Sequence, residues 1–235
     1  MTADEIVKQL KPLGSASYKR IMQNHGIPEP IIGVKISELK KFQKKIKKDY
    51  QLARDLYDTG IYDAMYLAGL IADETKMTPK DLNGWLKMSR CRALCEYTVP
   101  WVAAEGPHGR ELALKWIDSK DENTAGAGWA TLSGLVALKD DADLDLDELK
   151  KLLARVQKTI HDQPGRVRYS MNNFVIAVGS YVQKLTVLAM QTAKKIGTVE
   201  VDMGNTDCQV PYAPDYIEKV RTRGTLGKKR KTIRC

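Results

Sequence analysis

No stretch of the chain approaches the roughly 18–20 uninterrupted apolar residues that cross a bilayer as a helix. The N-terminus carries Asp4 and Glu5 where a secretory signal would be basic and then apolar. These two absences predict a cytoplasmic protein with no membrane partner. Cysteine is scarce: Cys91, Cys95, Cys208 and Cys235 are too few and too irregularly spaced for a disulfide framework, so reduced thiols are expected. Cys91 and Cys95 lie one helical turn apart, yet no second cysteine pair or nearby histidine completes four metal ligands, and they read as core residues. A glycine-rich nucleotide loop, a metalloprotease motif and a serine nucleophile elbow are all missing. DADLDLDEL, from Asp141 to Leu149, has only a superficial likeness to a calcium loop. Leu146 stands at its sixth position instead of glycine, and Leu152 at its twelfth instead of glutamate. Those acids are expected at a helix N-terminus, where the dipole favours negative charge. Whatever the chain does, it is predicted to do without metal or cofactor.

What the sequence does have is positive charge at both ends. The net charge is +9. Residues 1–60 hold 12 Lys+Arg against 7 Asp+Glu, residues 61–150 hold 10 against 16, and residues 151–235 hold 16 against 6. Two basic flanks around an acidic middle suit a polyanion, because every phosphate neutralised releases condensed counterions. Solvated lysine-rich helix faces give the same composition, so charge leaves both readings open.

Apolar periodicity is helical nearly throughout, and 43% hydrophobic content is enough for a sizeable core. Leu149, Leu152, Leu153, Val156 and Ile160 form one stripe, with Lys150, Lys151, Arg155 and Lys158 facing away. Leu185, Leu188, Ala189, Thr192 and Ile196 repeat the spacing, and Gly197 supplies a left-handed stop. Trp129, Leu132 and Val136 do likewise after Asp121. Thr2 with Glu5 reads as a capping box, and Thr78 with Pro79 and Asp81 as a helix start. Gly26, Gly60 and Gly106 read as stops. About ten helices of roughly 10–15 residues follow, a pattern that helix-pair solenoids share with bundles. From Thr198 to Val210 alternation predicts a small hairpin turning at Met203, Gly204 and Asn205. The last residues, GTLGKKRKTIRC, are too basic to fold alone and read as a mobile arm. The expected organisation is therefore a helical domain over 1–197 and a C-terminal extension with a basic tail over 198–235.

Three stretches together resemble the AlkD-like DNA alkylation-repair glycosylases. YKRIMQNHGIPEPIIGVKISELKK, from Tyr18 to Lys41, resembles the family's N-terminal signature of two basic helices around a Gly-Val turn. WLKMSRCRALCEYTVPWVAAE, from Trp85 to Glu105, is similar to the helix bearing the family's catalytic carboxylate a few residues before Val-Pro. RVRYSMNNFVIAVGSYV, from Arg166 to Val182, resembles a later helix lining the same groove. The resemblance implies an all-α fold, an α-α superhelix of HEAT-like helix pairs, binding double-stranded DNA as a monomer associated with the nucleoid. It also implies hydrolysis of the N-glycosidic bond of N3- or N7-alkylated purines. Such a base is already cationic and leaves neutral, so no general acid is needed, and a carboxylate stabilises the oxocarbenium-like sugar and orients water.

By this register the carboxylate is Glu96, the catalytic candidate, with an ordinary surface glutamate as the alternative. The family has aspartate there, and three further positions depart from it. Arg92 replaces a sugar-cradling tryptophan, Gly128 stands where an arginine is expected, with Trp129 beside it, and Phe174 replaces a second groove tryptophan. Subgroups lacking such residues bind branched or distorted DNA without cutting the bond, which is the alternative function. A third reading is a scaffold for an acidic protein along a solenoid face. Candidate DNA contacts are Arg92, Tyr97, Trp129, Arg166, Arg168, Tyr169, Asn172, Asn173 and Phe174. To these add Lys19, Arg20, Lys35 and Lys40 near the N-terminus and Lys228, Lys229 and Arg230 in the tail. For Asn172 and Asn173, mid-helix, hydrogen bonding between helices competes with phosphate contact. Trp101, Trp116 and Trp129 also fit a core.

Overall fold

The computed structural model describes residues 1–204 and 206–235. Thirteen α-helices run through the described residues, and no strand does. The chain divides into two compact units: residues 1–108 with 204–207 and 234–235, and residues 109–203 with 208–233. Residues 198–235, expected to stand apart, are shared between them.

The first unit holds α1 (Ala3–Leu10), α2 (Ala16–Asn24), α3 (Ile36–Ile46), α4 (Tyr50–Asp58), α5 (Tyr62–Ile71), α6 (Pro79–Met88) and α7 (Val99–Glu105). α1 opens on the Thr2–Glu5 capping box and α6 on the Thr78–Asp81 box with Pro79 in its first turn, as their sequences require. Gly26 and Gly60 end helices at positive φ, +78° and +66°, a conformation that costs glycine little. α5, YDAMYLAGLI, is buried on every side and forms the spine on which α3 and α4 pack. Tyr57 stacks on Trp85 with ring centroids 4.1 Å apart, tying α4 to α6.

The second unit holds α8 (Gly109–Trp116), α9 (Glu122–Leu138), α10 (Leu146–Thr159), α11 (Gly165–Tyr181), α12 (Thr186–Ile196) and α13 (Ala213–Thr222). α9 and α11 form its centre and α8, α12 and α13 pack around them. In α10 the stripe of Leu149, Leu152, Leu153 and Val156 is buried and Lys150, Lys151 and Lys158 are exposed. Arg155 departs from expectation: it folds back to Asp118 at 2.7 Å, to the Ile117 carbonyl at 2.9 Å and over the Trp129 ring. Asp145 caps α10 by accepting from the Asp147 and Glu148 amides, so the acidic run is a helix start. No single helix among the described residues is long and apolar enough to cross a membrane. α11 and α12 pass that test only jointly, bent by 113°.

Two expectations for the C-terminal stretch are corrected. Residues 198–204 and 206–210 form no ladder, and Asn205 of the expected turn lies outside the described residues. Nor is the basic tail a loose arm. Within the second unit the Gly227 amide donates to the Ser180 carbonyl and the Arg230 amide to the Ala137 carbonyl, both at helix ends that need partners. Within the first unit Arg234 is buried, its guanidinium 2.7 Å from Glu74 and 2.8 Å from Glu105 and donating to the Leu70 and Ala72 carbonyls. Paired cations fold where apolar residues are absent, a route that composition alone does not reveal.

Candidate nucleic-acid interface

In the first unit the expected contacts start from a turn held by one carboxylate. Asp63, 1% exposed in α5, accepts from the amides of Ile32 at 2.6 Å, Gly33 at 3.2 Å and Val34 at 2.7 Å. Three donors on one anion fix the turn against rotation. Gly33 adopts φ +86°, and a Cβ there would meet the Lys19 Cβ at 2.8 Å, so the turn lies directly on α2. Lys35, at the start of α3, is exposed just beyond it, and Arg20 is exposed on α2. Lys40 is half-buried. Lys19 is already engaged, its ammonium 2.6 Å from Glu29. Sequence reasoning missed Asp63; the signal was a lone acid in the apolar run IYDAMYLAGLIA.

The Glu96 segment is not regular α-helix. Leu94–Thr98 is π-helical, and the Val99 amide donates five residues back to the Leu94 carbonyl. Pro100 supplies the reason: it has no amide proton for the Glu96 carbonyl and its ring would press on that carbonyl, so the preceding turn widens. Gly69 lets α5 approach this turn, since a Cβ there would fall 2.3 Å from Thr98 Cγ2. Glu96 is buried, 8% exposed, and Tyr97 stays out at 41%, its ring 6.1 Å from Trp101. Arg92 is half-buried with Nη2 3.4 Å from His25 Nδ1.

In the second unit the residues expected on a DNA-facing surface are mostly inside. Trp129 is 1% exposed and Phe174 fully buried, their ring centroids 5.2 Å apart, so both are core and neither is on the surface. Asn172, 1% exposed, donates to the Pro211 carbonyl at 2.8 Å, which is the internal hydrogen bond, not phosphate contact. Asn173 is half-buried. At the start of α11 the Arg166 amide donates to the Glu122 carboxylate at 2.7 Å and so is not open to a phosphate. The Arg166 guanidinium lies 4.4 Å from the Tyr169 ring centroid, a cation–π contact that keeps both half-buried. Arg168 is half-buried and its buried Nε has no acceptor among the described residues. Of the tail cations, Lys228 and Arg230 are exposed, whereas Lys229 is held 2.9 Å from Asp141 and by the Val136 carbonyl. The lysine expected on DNA is therefore an internal tie.

Position 128 is closed. A Cβ on Gly128 would stand 2.7 Å from the Ile117 amide nitrogen, 2.8 Å from Ile117 Cγ2 and 2.9 Å from the Ala113 carbonyl oxygen. Ala113 of α8 and Ile117 just after that helix occupy the place of any side chain there.

An all-helical chain with this π-turned carboxylate segment and exposed cations has relatives. A family model described as DNA alkylation repair enzyme matches residues 6–216, and the chain belongs to that family. It is similar to the uncharacterized protein Lin0241 of Listeria innocua, 31% identical over 95% of this chain and 99% of that one. Similar too is the uncharacterized protein Lmo0209 of Listeria monocytogenes, 32% identical with the same coverage. Among solved structures it matches one described as "a new family of proteins related to the HEAT-like repeat DNA glycosylases with affinity for branched DNA structures", at 36% identity and TM-score 0.92, covering all of both chains. The fold is thus all-α, of the HEAT-like repeat kind.

Proposed function

We propose that this protein binds branched or distorted duplex DNA and does not excise bases. The observation that carries the reading is Gly128. The resemblance puts there an arginine that helps hold the DNA backbone in the glycosylases, and the packing of Ile117 and Ala113 leaves no room for any side chain. The burial of Trp129 and Phe174 supports the same reading, since neither ring stands where it could cradle a sugar. The structural relative described as having affinity for branched DNA supports the choice of ligand. Phosphates would be met by Arg20, Lys35, Lys228 and Arg230, all exposed. The chain acts as a monomer in the cytoplasm, on nucleoid DNA.

The test is gel-shift titration of a four-way junction and a linear duplex of the same sequence over a range of salt. Tighter binding to the junction is expected, with affinity falling steeply as salt rises, by about 0.9 in log K per phosphate neutralised for each decade. Equal affinity for the two DNAs refutes the preference, and a flat salt response favours an acidic protein partner.

A second reading has one observation in its favour. Glu96 sits, buried, on a π-helical turn, a distortion frequent at functional sites. On that reading the chain releases 7-methylguanine from duplex DNA and Glu96→Gln abolishes release, a carboxylate in this role being worth about 10²–10⁴ in rate. Our reading expects no release above buffer by either protein.

A further inference from the structure

Within the first unit an open pocket of about 440 Å³ lies between the turn after α2, the end of α6 and the Leu94 turn. Its size falls in the roughly 300–1,000 Å³ range of small-ligand sites. No candidate residue from the sequence lines it. Its walls are largely apolar and rich in sulfur: Met65 and Leu94 are buried, Met88 is 37% exposed, and the buried Cys91 also lines it, its thiol pushed up by burial and so protonated. Thioether and thiol make soft, adaptable contacts with the face of a ring. The rim is different. Lys87 and Arg90 are both exposed there, and neither has an ion-pair partner among the described residues. The single carboxylate in the lining, Glu29, accepts from Lys19, from Gln23 and from the Ile31 amide. The Lys19 hydrogen bond holds its carboxyl below the usual glutamate range, so it stays ionised and already compensated.

An apolar slot with two uncommitted cations at its mouth calls for a flat, π-faced group attached to an anion. We propose that it receives one unpaired nucleotide of DNA, its base against Met65, Met88 and Leu94 and its phosphate on Lys87 and Arg90. This rests on the DNA-binding reading above and gives that reading a selectivity device. A base in continuous duplex must be unstacked and unpaired before it can enter, whereas a base at a branch or mismatch is already loose. The same pocket therefore favours branched DNA without reading sequence.

The experiment uses the full chain labelled with ¹³C on the methionine methyl groups, with the Met65 and Met88 signals assigned by Met65→Leu and Met88→Leu. Deoxyadenosine 5′-monophosphate is titrated in, with deoxyadenosine, inorganic phosphate and benzoate as parallel probes. We expect saturable shifts of Met65 and Met88 and of no other methionine. Deoxyadenosine should bind about tenfold more weakly for want of the charge-assisted contacts. The double variant Lys87→Ala/Arg90→Ala should bring the nucleotide down to the deoxyadenosine level with an unchanged Tm, since both side chains are exposed. Unmoved Met65 and Met88 signals overturn the proposal. So does inorganic phosphate or benzoate matching the nucleotide at equal concentration, which marks a general anion contact. Junction and duplex gel shifts on the same variants separate this failure from that of the broader reading. Silent methionines with a junction preference intact remove only the pocket; saturable methionine shifts with no junction preference remove only the branched-DNA reading.

Discussion

The resemblance assigned the segment around Glu96 and the α9–α11 pair around Gly128 to one site, yet the structure leaves them in opposite states. The first keeps a buried carboxylate on a widened turn with Tyr97 outside; the second has turned Trp129 and Phe174 into core and closed position 128. A motif register fixes which residues lie near one another along a helix. It does not fix which face of that helix is covered, because that depends on the volume of side chains on the helix opposite.

The contrast is broken most strongly at Phe174. If it is core, Phe174→Ala should cost about 3–5 kcal/mol in chemical denaturation, the usual range for a fully buried ring. A loss of DNA affinity with stability intact would instead return Phe174 to the surface.

Next comes the carboxylate that anchors the tail. Burial pushes the Glu74 carboxyl up, but the hydrogen bond from Lys48 and the charge of Arg234 outweigh it and hold the group below its ordinary 4.5. A carboxyl depressed on folding stabilises above the unfolded value and loses that contribution as pH falls through the lower folded one. Wild type should therefore weaken progressively below about pH 4.5. Glu74→Gln should be less stable at pH 7, by about 1–3 kcal/mol, and flatter on the acid side, as read by denaturation at stepped pH. Parallel acid limbs would show the pair to be inert.

Asp63 sharpens the comparison from the other side. Asp63→Asn removes the charge that three amides share and should cost about 1.5–3 kcal/mol. At a temperature where the variant is folded it should also weaken DNA binding, since Lys35 loses its fixed place. Unchanged affinity would leave Asp63 a purely structural residue.

The smallest expected effect is at Lys35 itself. Lys35→Ala should shift stability by no more than about 0.5 kcal/mol and lower the slope of log K against log salt by about one. An unaltered slope would remove Lys35 from the interface.

Much of the fold was legible from local rules. Capping at Thr2 and Thr78, the left-handed stops at Gly26, Gly60 and Gly197, and the buried stripe of α10 each depend on neighbours within a turn or two. The site was less so. Asp63 acts on amides some thirty residues away, and Arg234 folds the tail onto Glu74 and Glu105, both contacts between segments distant in sequence. The π-turn at Glu96 had a local cause in Pro100, but its burial comes from α5 pressing in at Gly69. Trp129, equally at home in either role on paper, was decided by Phe174 across from it.

Gly128 also bears on what can be rebuilt here. With the Ile117 amide and the Ala113 carbonyl standing where a Cβ would go, replacing this glycine by arginine cannot by itself place a guanidinium at this position. The end of α8 would have to move away first, so a side chain at this position requires a second change on the facing helix.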